Sequence, residues 1–165
     1  MNQTIATNIA ARYSFFAETL NAWGLKPHDA QVASAPQKQR VLIIDDDQAT
    51  AEALAMALRC EGYETRYECS SIEGIASTNS WLPDIVVLDA NMPERDGFAT
   101  AAVIRRIVPC PDLVIIAFTG FNHDNIETEA YQSGFDAYCQ KSAPLTHLLS
   151  TIRNLSELSI SPKAA

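Results

Sequence analysis

The chain lacks three features, and each absence removes a class of function. It has no basic stripe. Twelve Lys and Arg stand against 20 Asp and Glu, a net charge of −8, so a surface for nucleic-acid phosphates is not expected. It has no long apolar run, since stretches such as Leu113 to Phe118 fall far short of the ~18 residues a membrane span needs. Its four cysteines (Cys60, Cys69, Cys110, Cys139) form no Cys-x-x-Cys pair and have no neighbouring histidine. They are expected to be reduced thiols acting as small apolar packers. Residues 1–25 open without a basic cluster and are interrupted by Arg12 and Glu18, unlike a secretion signal. A cytoplasmic protein with neither nucleic-acid nor membrane partners is the expectation.

What the chain does have is apolar runs that stop abruptly at acids. Asp84-Ile85-Val86-Val87-Leu88 ends at Asp89, and Val41-Leu42-Ile43-Ile44 ends at Asp45-Asp46-Asp47. Such runs read as buried parallel strands that deliver carboxylates to one edge of a sheet. Two such edges side by side crowd like charges. At ~5 Å and an effective dielectric of about 20, each pair costs roughly 3 kcal/mol. That cost is tolerable if a cation sits there or a carboxyl stays protonated. The expected cation is hard, oxygen-seeking Mg²⁺.

From Arg40 onward, strand and helix patterns alternate. Strands are predicted at Val41–Ile44, Glu64–Cys69, Ile85–Leu88, Leu113–Phe118 and Ala137–Gln140. Helices are predicted at about 48–61, stopped by Gly62; from Ser70-x-x-Glu73 to about Ser80; at Phe98–Ile107; from Asp124-x-x-Glu127 to Gly134; and from about Pro144. Both Ser/Asp-x-x-Glu patterns are capping boxes. Five βα units in about 120 residues mean a doubly wound parallel sheet with helices on both faces and a crevice at the strands' carboxyl ends. Asp45–Asp47, Asp89, Thr119 and Lys141 all fall at such ends. Ahead of this region, Ile9, Tyr13, Phe16, Leu20 and Trp23 form the apolar seam of one amphipathic helix. The division expected is helix 1–26, linker 27–39, main domain 40–158 and a disordered tail 159–165.

Val41-Leu42-Ile43-Ile44-Asp45-Asp46-Asp47, Asp84 to Pro93 with Asp96-Gly97, Ile116-Ala117-Phe118-Thr119-Gly120 and Tyr138-Cys139-Gln140-Lys141 together resemble the receiver domains of two-component response regulators. The likeness runs from Arg40 to about Leu158. It implies a flavodoxin-like α/β fold with strand order 2-1-3-4-5 and an aspartyl-phosphate switch. By position, Asp89 resembles the phosphoacceptor. Asp45 and Asp46 resemble the Mg²⁺-binding pair, with Asp46 the direct ligand, and Asp89 and the Asn91 backbone carbonyl complete the metal set. Lys141 would bind the phosphoryl oxygens. Thr119 would donate its hydroxyl to them and, with Tyr138, relay the event. Gly120 would keep the approach open, and Phe121 would shield the acyl phosphate from water.

Several of these residues have plainer readings. Asp47 suits an N-cap better than a metal ligand. Tyr138 alone is a strand aromatic, Thr119 alone a strand-end hydroxyl, and His28, His123 and His147 read as exposed loop or helix residues. One departure stands out: receivers usually follow the lysine with a cis-proline, but Ser142 follows Lys141 here and the proline is Pro144. The loop is either strained or rebuilt in trans.

The resemblance implies a phosphoryl-accepting protein that is not an enzyme in the usual sense, acting only on its own phosphorylation and dephosphorylation. Its partners would be a histidine kinase or histidine phosphotransfer protein and a downstream protein target. The contact face would be the helix after Asp124, the strand Ala137–Gln140 and the last helix, including Ile126, Tyr131, Tyr138 and His147. The flanking segments look too short for an output domain, and the N-terminal helix offers a route to a homodimer. The alternatives are a receiver cut from a hybrid sensor histidine kinase, a degenerate docking receiver, or a haloacid-dehalogenase-type phosphatase. The last needs an Asp-x-Asp followed by Gly-Thr, where this chain has Gln48-Ala49-Thr50.

Overall fold

Runs of four or five apolar residues shed water on both faces only by lying between two layers of helix, and the chain is built that way. The computed structural model describes residues 38–92, 96–108, 110–120 and 132–160, with side chains through Ser156. In order, its elements are β1 (Arg40–Ile44), α1 (Gln48–Cys60), β2 (Glu64–Glu68), α2 (Ser71–Trp81), β3 (Ile85–Asp89), α3 (Gly97–Ile107), β4 (Val114–Thr119), β5 (Ala137–Gln140) and α4 (Leu145–Ile160). The strands form one parallel sheet of order β2-β1-β3-β4-β5. The chain divides into the units Met1–Gln37 and Lys38–Ala165. The first unit, with its expected amphipathic helix and homodimer contact, lies outside the described residues. So do residues 161–165 and the helix expected from Asp124, except for its last residues 132–134.

Strand alternation sends successive side chains to opposite faces. Leu42, Ile44, Val86, Leu88, Ile115 and Ala117 pack in one cluster with Trp81 of α2, Ala101 and Ile104 of α3, and Phe135. The intervening Val41, Ile43, Val87 and Ile116 are equally buried, so both faces are covered. On the second face, Thr65 Oγ1 donates to the Ala55 carbonyl at 3.1 Å and ties α1 to β2.

Local signals set most helix ends. Asp47 caps α1, accepting from the N–H groups of Ala49 and Thr50, and Gly62 at φ +96° lets the chain leave that helix. Ser70 Oγ accepts from Glu73 N–H and donates to Glu73 Oε2, so the first capping box forms by a hydroxyl–carboxylate variant. Other boundaries moved. The second strand stops at Glu68, the fourth is displaced one residue to Val114–Thr119, and the last helix continues to Ile160, past the expected tail boundary at 159. Leu145, expected on that helix's apolar face, is 40% exposed at its first turn. Cys139 is buried and Cys69 and Cys110 half-buried, but Cys60 is exposed, contrary to the expectation that the thiols act as apolar packers.

The end of the sheet opposite the acids is held by Arg105 of α3. Its guanidinium donates to the carbonyls of Leu113 and Gly134 and pairs with the buried Asp136 carboxylate. The same carboxylate oxygen accepts from Ile115 N–H at 2.8 Å. One side chain thus joins α3 to the starts of β4 and β5. Removing one partner of such a pair strands a buried charge. Arg105→Ala is therefore expected to cost about 3–5 kcal/mol, read as a lowered urea midpoint.

Candidate functional site

Register brings the acids together. Ile44 pairs with Leu88, so Asp45 and Asp89 leave adjacent strands at the same level. Asp89 pairs with Phe118, and Thr119 with Gln140, which sets Thr119 and Lys141 beside them. The Lys141 N–H donates to the Thr119 carbonyl at 2.8 Å, fixing the start of the β5 exit. The ladder of the sheet therefore aligns four side chains that are far apart in sequence.

Lys141 Nζ lies 2.8 Å from Asp45 Oδ2 and 2.8 Å from Asp89 Oδ2. The contact with Asp89 is a hydrogen bond. The contact with Asp45 is an equally short ion pair to a buried carboxylate. Asp45 Oδ1 accepts from Asp47 N–H, and Asp89 Oδ1 from Asn91 N–H. Lys141 also sits 6.0 Å from the Phe118 ring centroid. An open cleft of about 350 Å³, lined by Asp89, Asn91, Gly120 and Lys141, gives access from solvent. A Cβ at Gly120 would meet no atom within 4 Å.

Asp45, Asp46 and Asp89 each offer a carboxylate oxygen, all within 4.8 Å of one another. Two are buried and Asp46 is exposed. An all-oxygen set of three carboxylates beside a single amine fits a hard divalent cation. Asp47 stays out of this set and caps α1, with its other oxygen taken by the Thr50 hydroxyl. That hydroxyl, with the Ala49 and Thr50 N–H groups, holds its carboxyl below the usual range.

Burial pushes the Asp45 carboxyl above its usual 3.8, outweighing the pull of Lys141 in the opposite direction. Burial also acts to lower Lys141, but its contacts with Asp45 and Asp89 outweigh it, and the amine titrates above its usual 10.5. The two directions are consistent because Asp45 is the deeper partner: its side chain is 2% exposed against 26% for Lys141. A carboxylate with that preference is relieved either by a proton or by a metal ion.

Two features were not anticipated. A Cβ at Gly97 would fall on the Asp89 carbonyl oxygen and within 2.6 Å of Ala90 Cα. The N-terminus of α3 is thus pressed against the end of β3, where Gly97 N–H donates to the Ala90 carbonyl at 3.2 Å. The Asp96-Gly97 pair carries that signal, with Asp96 as the N-cap. The second feature is the Asn91 side chain, which donates to Thr119 Oγ1 at 2.6 Å. Thr119 itself is fully buried, and Tyr138 is half-buried against the core cluster. The peptide after Lys141 is trans, and Ala143 N–H closes a turn onto the Gln140 carbonyl. His147 is exposed; Phe121, Ile126, Tyr131, His28 and His123 lie outside the described residues.

A family profile described as the response regulator receiver domain matches residues 41–153. The DNA-binding dual master transcriptional regulator RpaA of Synechocystis is 29% identical over 116 residues, covering 70% of this chain and 48% of its own. The response regulator MprA of Mycobacterium avium is 31% identical over 116 residues, covering 70% and 50%. The chain spans about half the length of these curated relatives. Among solved structures, a CheY-like receiver domain protein from Methanospirillum hungatei superposes with TM-score 0.68 at 26% identity, covering 74% of this chain and 97% of that one. A two-component response regulator from Clostridium difficile gives TM-score 0.69 at 25% identity, covering 75% and 100%.

Two substitutions test the geometry. Gly97→Ala is expected to cost about 1–3 kcal/mol through overpacking, measured by urea unfolding. Asp45 holds its proton to a higher pH in the folded chain than in the unfolded one. Its contribution to stability is therefore greatest in acid and falls as pH rises above 3.8 through the folded value. In metal-free buffer, the stability of Asp45→Asn relative to wild type should rise with pH across that window, seen as diverging urea midpoints.

Proposed function

Because this chain belongs to the response regulator receiver domain family, we propose that it takes a phosphoryl group on Asp89 within a two-component phosphorelay. One observation carries the reading: Lys141 Nζ bridges the Asp45 and Asp89 carboxylates at 2.8 Å each, at the edge of a cleft that Asp89 itself lines. An acceptor must be reachable from solvent yet set among charges that offset those of the incoming phosphoryl group. Asp89 meets both conditions.

In the proposed reaction a carboxylate oxygen of Asp89 attacks phosphorus in line, and the bond from phosphorus to the donor nitrogen of a phosphohistidine breaks. The displaced imidazole nitrogen keeps the bonding pair. There is little covalent work for the protein to do, so catalysis is positioning and electrostatics. Lys141 offsets charge on the acceptor and then on the transferred oxygens. Asn91 N–H holds Asp89 Oδ1, leaving the side chain in one orientation. Asp45, Asp46, Asp89 and the Asn91 carbonyl would hold Mg²⁺, which when bound neutralises phosphoryl charge.

The partners proposed are a histidine kinase or histidine phosphotransfer protein and a downstream protein target. Moving a resting population from 1:99 to 99:1 takes about 5.5 kcal/mol of differential stabilisation. New charge-assisted bonds from Lys141 and the Thr119 hydroxyl supply it. Tyr138 and the exposed His147 belong to the proposed contact face. DNA binding, named for RpaA, is not proposed for this domain, because a net charge of −8 opposes a phosphate backbone.

Incubation with Mg²⁺ and acetyl phosphate or phosphoramidate should add one labile phosphoryl group by intact mass, and Asp89→Asn should abolish it. No gain in the wild type would overturn the proposal and favour a docking module. Sustained turnover of a general phosphomonoester would favour a phosphatase.

A further inference from the structure

The proposed reaction uses only the backbone of Asn91, yet its side chain makes a short bond of its own. Nδ2 donates to Thr119 Oγ1 at 2.6 Å, joining the end of β3 to the end of β4. The cleft is lined by Asp89, Asn91, Gly120 and Lys141, while Thr119 is fully buried. Asn91 is exposed beside the cleft, and the hydroxyl it bonds is buried. A threonine hydroxyl has one proton and two lone pairs. Accepting from Asn91 occupies a lone pair and fixes where the oxygen sits.

We infer that the Asn91 side chain is a latch: a positioning residue that holds the Thr119 hydroxyl in its resting place and must release it before Thr119 can reach a phosphoryl group on Asp89. The inference rests on the reading of Asp89 as acceptor and Thr119 as the switching hydroxyl. Asn91 is well placed for the task because its own N–H is bonded to Asp89 Oδ1 at 2.9 Å. One residue thus touches the acceptor through its backbone and the switch through its side chain. The latch bond exists only in the resting state, so it sets the resting population without adding to the phosphorylated one.

Beryllofluoride with Mg²⁺, a phosphoryl mimic, gives the test when titrated into the full chain and followed by backbone amide NMR. Deleting the latch should tighten binding. A hydrogen bond of ordinary net strength corresponds to a gain of roughly two- to tenfold for Asn91→Ala. Asn91→Leu, which keeps the bulk and loses the donor, should gain similarly. In a Thr119→Ala background, Asn91→Ala should give no gain, because the bond is already absent. Unchanged or weaker binding by Asn91→Ala overturns the latch, as does an equal gain without the Thr119 hydroxyl. Opposite signs for the Ala and Leu variants also overturn it, since bulk and not the bond would then be responsible. If wild type and Asp89→Asn respond identically to the probe, the acceptor reading itself fails, a result distinct from the others.

Discussion

A single ammonium group shared by two buried carboxylates is the constraint on which the site depends. Asp45 and Asp89 leave neighbouring strands at one level because Ile44 pairs with Leu88, and without Lys141 between them their charges would face each other in a poorly solvated edge. Lys141 only partly offsets this. Three carboxylate groups, counting Asp46, face one amine. The resting site is thus left short of positive charge. Such an imbalance weakens the fold locally but creates affinity for a cation, and a cation in turn makes room for another anion. Placing the imbalance at the carboxyl ends of β1 and β3 puts it where an α/β sheet opens to ligands.

The rest of the molecule supplies rigidity around that edge. Both faces of β1 and β3 are covered, so neither strand end can drift without disturbing the core. Gly97 lets α3 sit directly on the Asp89 backbone, and Arg105 secures the other end of the same helix to the starts of β4 and β5. The helix that flanks Asp89 is therefore held at both termini by contacts of different kinds: a steric fit at one end and an ion pair at the other.

Much of this arrangement was legible in the residues. Apolar runs that stop at Asp45, Asp89 and Thr119 mark strand ends, because few other environments favour such an abrupt change. Asp47 and Ser70 announced helix starts through cap chemistry that operates within four residues. The order of the strands and the roles expected of Asp89 and Lys141 came from resemblance, since no local signal carries them. Some features escaped because they are set by tertiary approach. The partnership of Arg105 with Asp136, the pressure of Gly97 on Asp89 and the bond from Asn91 to Thr119 each join residues that only the folded sheet makes neighbours. Cys60 escaped for the opposite reason: a small thiol at the end of a helix carries no information about which way it will turn.

Trp81 shows how far the two ends of the sheet are separated in kind. Its ring lies 4.6 Å from the Arg66 guanidinium and 5.9 Å from that of Arg40, which also donates to the Trp81 carbonyl. Arg40 begins β1, whereas the acids follow its last residue, a strand length of roughly 16 Å at ~3.3 Å per residue. The indole is thus clamped by cations at the margin remote from the aspartates. Trp81 therefore reports on loss of the native fold, and an optical reporter of the cleft belongs on the other rim.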